Sequence, residues 1–263
     1  MLQLFAMQQY KNALSAPPIR VLLSLLLPAL GGVLLIGIVG GISGSPQAVD
    51  PADQAGTVVL LAGAGVVSLL AGLFWYGLPG LGLRGGRPLY AGIGFATLGW
   101  VAFFLARFFL VSSNEEIVVA PGFGSIFIYL FLFEALALQL WTFGLFFRSM
   151  ADWRGPLTAA VTGGILFGLV AYVLFEEALV SSTSAVLYFL LWGIFYGLIR
   201  LRTGGILGIV IVQAMHSLTT WHILLPQERP ALQELQNLYL AAGLFYLIFI
   251  WRLWPREEED YRV

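Results

Sequence analysis

Apolar runs of about twenty residues, repeated along most of the chain and separated by short clusters of charges and turn formers, constrain this fold more than any other feature. A bilayer's hydrocarbon core is roughly 30 Å thick, and a helix rising about 1.5 Å per residue crosses it in about 20 residues. Within lipid every backbone N–H and C=O must be paired inside the protein, so such runs become transmembrane helices. Cutting the chain at its charge and turn clusters gives eight spans: Ile19–Gly41, Thr57–Leu81, Leu89–Val111, Phe123–Phe147, Leu157–Phe175, Thr183–Ile199, Gly204–Leu225 and Leu235–Trp254. Composition agrees, because 59% hydrophobic and 10% charged residues leave a water-soluble domain too little polar surface to cover its core. The expected class is all-α: a polytopic membrane protein of eight transmembrane helices forming a single domain over residues 1–263.

Charge placement gives an independent test, since Lys and Arg concentrate in cytoplasmic connections. Lys11 and Arg20 precede the first span and set the N-terminus inside. Alternation then makes the even-numbered connections and the C-terminus cytoplasmic, and these hold Arg84, Arg87, Arg148, Arg154, Arg200, Arg202, Arg252, Arg256 and Arg262. The odd-numbered connections carry Asp50, Asp53, Glu115, Glu116, Glu176, Glu177, Glu228 and Glu234, with Arg229 as their only base. Adding or removing one span would scramble this separation. The first apolar run exceeds a signal peptide's h-region of roughly 7 to 15 residues and lacks a small-x-small cleavage site, so it is read as the first helix. Connections no longer than about 15 residues and a short acidic tail over 255–263 place the activity in or at the membrane. The absence of cysteine excludes disulfides and thiolate metal sites. No basic surface outside the spans offers itself to nucleic acid.

Small residues four apart let helix backbones approach closely, and three consecutive spans carry them: Gly164 with Gly168, Gly193 with Gly197, and Gly204 with Gly208. These spans are expected to form the central bundle. Gly37 with Gly41 repeats the pattern in the first span, and with 31 glycines some pairs arise by chance.

An ionisable residue deep in a span is costly and marks a functional hypothesis. Two qualify, Glu134 and His216. Glu134 sits mid-span among Phe and Leu, where a carboxylate needs a partner or a proton. His216 shares one helical face with Gln213, Thr219 and Thr220, a polar stripe on an apolar helix. A carboxylate and an imidazole on different helices can activate water, one as base and the other as orienting group or oxyanion donor. The same groups equally serve as interhelical hydrogen-bonding glue. His222 near a span end reads as an interfacial histidine, and Arg107 as a side chain able to snorkel outward.

The run Gly155-Pro156, then Ile165-Leu166-Phe167-Gly168-Leu169-Val170-Ala171, then Tyr196-Gly197-Leu198-Ile199-Arg200-Leu201-Arg202-Thr203-Gly204 and Gln213-Ala214-Met215-His216 resembles the core of the CPBP family, the CAAX-prenyl-protease and bacteriocin-processing membrane proteins, also called the ABI family. The resemblance covers about residues 133–221 and implies an eight-span fold with both termini inside. Family members cut peptide bonds with a Glu-Glu-x-x-x-Arg motif, a Phe-x-x-x-His motif and a His-x-x-x-Asn/Asp motif. Position by position, Glu134 matches the first glutamate, while Ala135 stands for the second and Gln139 for the arginine. Phe167 is kept while Ala171 replaces the second-motif histidine, and His216 is kept with Thr220 as its polar partner. The segment from Glu134 to Gly155 is also about one helical turn longer than the family pattern.

Two functions of different class follow from the resemblance. In the first, the chain is a catalytically impaired homologue that binds or stabilises another membrane component, because a methyl at position 171 can neither orient water nor move a proton. In the second, it is an active intramembrane endopeptidase with a rearranged site, Glu134 acting as base and His216 with Thr220 as oxyanion donors, and with His216, Gln139 or another residue substituting for the lost histidine. A third, pigment- or cofactor-binding reading rests only on His216, His222 and the aromatic content. Partners are then membrane lipids, another integral membrane protein or a peptide substrate. No cofactor is expected, and Glu134 with His216 falls short of the three protein ligands usual for catalytic zinc. The expected location is a bacterial-type plasma membrane or an equivalent organelle membrane.

Overall fold

Each apolar run folds into a helix because lipid leaves its backbone no other partner. The computed structural model describes residues 16–42, 54–111, 115–117, 123–174, 183–220, 224–226 and 230–262. The helices are α1 (Pro17–Ile42), α2 (Gln54–Gly80), α3 (Arg87–Leu110), α4 (Phe123–Arg154), α5 (Pro156–Leu174), α6 (Thr183–Thr203), α7 (Leu207–Leu218) and α8 (Leu232–Leu253). All but α7, seven in number, are long and apolar enough to cross a membrane. This is an integral membrane protein by fold. Lys11, Asp50, Asp53, Glu176, Glu177, Trp221, His222, Glu228 and Arg229 lie outside the described residues.

The seventh run departs from expectation. Its helix has 12 residues rather than the length of Gly204–Leu225. Gly204, at φ 74°, turns the chain before the helix begins. At the other end the turn widens into a π-turn over Thr219 and Thr220, where the Thr219 hydroxyl bonds back to the carbonyls of Met215 and His216 at 2.8 and 3.0 Å. Leu224–Pro226 then forms β2, antiparallel to β1 at Glu115–Ile117, with Glu116 opposite Leu225. Pro226 has no N–H to extend a helix. This three-residue pair is the one strand pairing among the described residues, in a fold otherwise helical.

α6 is the central helix, with 67% of its most apolar window buried, against 28–39% for the other long helices. Its tightest neighbour is α5, and the glycines explain why. A Cβ on Gly164 would lie 2.6 Å from the Ile194 backbone, one on Gly168 2.6 Å from the Phe189 carbonyl, and one on Gly193 would fall onto the Gly164 carbonyl. The other glycine pairs behave differently. Gly208 seats α7 against Leu89–Ile93 of α3, whereas Gly37 and Gly41 face open space; α1 meets α2 through Gly31, Gly32 and Gly63 instead. Outward-facing Phe74, Phe109 and Trp251, 73–86% exposed, are the surface lipid would cover.

One end of the bundle is knitted by arginine. Fully buried Arg200, near the end of α6, donates from Nε to the Phe143 carbonyl (3.1 Å) and from Nη2 to the Gly80 carbonyl (3.2 Å), and stacks on Phe147. It satisfies a carbonyl left open at the α2 terminus and another on α4. Gly82, at φ 78°, lies so close that a Cβ would be 2.7 Å from the guanidinium carbon. At the same end the Gly82 carbonyl accepts from Ile206 N–H (2.9 Å), and the tail returns so that Arg262 N–H donates to Leu201 (2.8 Å).

Candidate functional site

α4 carries two π-helical stretches, Leu130–Leu136 and Leu140–Phe146. A π-turn closes with an i→i+5 bond and is frequent at functional sites. Glu134 lies in the first stretch and Gln139 between the two, five residues apart. Opposite them on antiparallel α7 stand Ser217 and Gln213, four apart. The widened turns bring the two spacings into register. The Ser217 hydroxyl donates to Glu134 Oε1, and Gln139 Nε2 donates to Gln213 Oε1 at 2.7 Å. Together they form a polar latch between α4 and α7. Glu134 remains half-buried, while both glutamines are fully buried.

His216 points elsewhere. Neighbouring positions on a helix differ by about 100°, so with Ser217 on α4, the imidazole enters the aromatic core between Trp192 of α6, stacked at 4.9 Å, and Phe103 of α3 at 4.7 Å. No hydrogen bond joins it to Glu134 among the described residues. Its Nδ1 is buried without a partner, as are Gln139 Oε1 and Gln213 Nε2, so three unsatisfied polar atoms lie within about one turn of α7.

The remaining positions are mostly packing. Ala171 is fully buried in the main core. Phe167 meets Phe143, Trp192 and Tyr196 at ring distances of 5.3–5.7 Å. Ala135 packs with Leu130, Val210, Ala214 and Leu218 in a second cluster between α4 and α7. Thr220 is buried at the end of α7, and Thr219 accepts from Trp100 Nε1 at 3.0 Å, tying α7 to α3. The expected single polar stripe is therefore split between α4 and α3. Arg107 does not snorkel outward: it is 2% exposed and lies within electrostatic reach of His216. Ser217 is the contact to Glu134 that the sequence hid, its sole signal being its place four residues after Gln213.

Comparison with protein-family models, with curated proteins and with solved structures finds no match.

Proposed function

We propose that this chain is a CPBP-like integral membrane protein whose hydrolytic constellation has become an interhelical latch, and that it binds or stabilises another membrane component rather than cleaving it. The observation that carries this reading is the engagement of Glu134 by Ser217 while His216 is stacked between Phe103 and Trp192. A base and its imidazole partner must converge on one water, and these two residues serve different helix contacts. Ala171 supplies no replacement. The orphaned atoms on Gln139, Gln213 and His216 give the latch capacity for further polar contacts.

In this reading the chain crosses a bacterial-type plasma membrane, or an equivalent organelle membrane, eight times with both termini cytoplasmic. α7, at 12 residues, is about 18 Å long and short for a span. It starts beside Gly82 and Leu89 at the arginine-rich end, however, and the chain reaches β2, which pairs with β1 beyond the far end of α3. The basic residues gather at the end assigned to the cytoplasm.

The test compares peptide termini in membranes holding wild type, Glu134→Ala or Ala171→His at matched abundance. The expected result is no cleavage attributable to wild type. Termini that require Glu134 in the wild-type background would replace this reading with the endopeptidase one.

A further inference from the structure

A cavity of about 430 Å³ opens between the ends of α6 and α8 and the returning tail, lined by Arg202, Arg252, Trp254, Arg256, Glu257 and Asp260. Three guanidinium groups from two helices and the tail thus converge on one space. Asp260 already shows how an oxyanion sits there: its Oδ2 is 3.0 Å from Arg202 Nη1 and accepts the Arg256 backbone N–H at 3.1 Å. Arg252 and Arg256 are exposed, and neither guanidinium has a partner among the described residues. The depth is that of a membrane surface. Arg252 ends the apolar run of α8, flanked by Trp251 and Trp254, which are 73% and 42% exposed and of the type that settles at headgroup level.

From this geometry we propose that the cavity binds a phosphate oxyanion at the membrane surface, with Arg252 and Arg256 as its main donors and Arg202 shared with Asp260. Guanidinium forks match phosphate oxygens in pairs, and basic pockets between transmembrane helices suit phospholipid headgroups. The oxyanion comes either from an anionic phospholipid or from free phosphate.

The full chain in neutral detergent is followed by its thermal midpoint during titration with phosphatidylglycerol, phosphatidylcholine or inorganic phosphate at constant ionic strength. Wild type should be stabilised at lower concentration by phosphatidylglycerol than by phosphatidylcholine. Each arginine removed should weaken that preference about fivefold, so Arg252→Gln/Arg256→Gln should nearly abolish it. Arg87→Gln/Arg154→Gln, an exposed pair at the same end but outside the cavity, should retain it. Stabilisation by inorganic phosphate that disappears in Arg252→Gln/Arg256→Gln would assign the site to soluble phosphate; a response confined to phosphatidylglycerol assigns it to lipid. The proposal is overturned by a wild type that responds to neither source selectively, a result independent of whether any variant folds. It is equally overturned if the control pair loses as much as the cavity pair.

Discussion

The α5–α6 and α4–α7 contacts hold neighbouring helices by opposite means. Between α5 and α6, Gly164, Gly168, Gly193 and Gly197 bring backbone against backbone, and the energy is dispersion over a close approach. Between α4 and α7, side chains meet across widened π-turns through Glu134–Ser217 and Gln139–Gln213, with polar capacity left unused. The first contact has one tight solution. The second leaves buried polar atoms on Gln139 and Gln213 without a partner, which is where a further polar contact can be made.

The largest expected effect falls on the glycine contact. Gly193→Leu would drive side-chain carbon into the Gly164 carbonyl and should cost about 3 kcal/mol or prevent folding, read by unfolding in mixed micelles. Gly37→Ala, in open space, should leave stability unchanged or raise it by up to about 1 kcal/mol. Equal losses at both sites would erase the distinction.

The latch should respond as a pair. Gln139→Leu alone strands the buried Gln213 amide and should cost about 1–2 kcal/mol, whereas Gln139→Leu/Gln213→Leu should recover most of that loss. Additive losses in this cycle would mean that the two amides act separately. Ser217→Ala should cost less, about 1 kcal/mol, because the half-buried Glu134 can find another donor.

The smallest effect lies away from both contacts. The Arg256 backbone N–H, helped by the Arg202 guanidinium, holds the Asp260 carboxyl below its ordinary value. A depressed folded value makes its contribution fully present above the unfolded value of about 4 and lost as pH falls through the folded one. The protection factor of the Arg262 amide, which bonds Leu201, taken relative to its intrinsic exchange rate at each pH, should therefore fall in acid, and Asp260→Asn should remove that dependence.

The helices were legible because hydropathy and length decide them in lipid, and the α5–α6 glycines because their spacing is itself the packing device. The extent of α7 was not. Gly204–Leu225 reads as one mostly apolar run, while its first residues form the Gly204 turn and its last belong to a strand whose partner lies about a hundred residues away. Arg107 was misplaced because a sequence shows nearness to a span end but not which neighbours cover a side chain. Glu134, Gln139, Gln213 and His216 were visible as costly polar residues, yet their pairing was not. The five-against-four match across α4 and α7 exists only once the π-turns form, and ordinary helical spacing conceals Ser217.

The most direct test of the latch exchanges Glu134 for Gln and reads peptide termini in the host membrane. Glutamine keeps an oxygen to accept the Ser217 hydrogen bond but cannot act as a general base. The account predicts a folded protein and termini identical to those of wild type. A folded Glu134→Gln protein whose membrane loses a set of wild-type termini would contradict it and place Glu134 in catalysis.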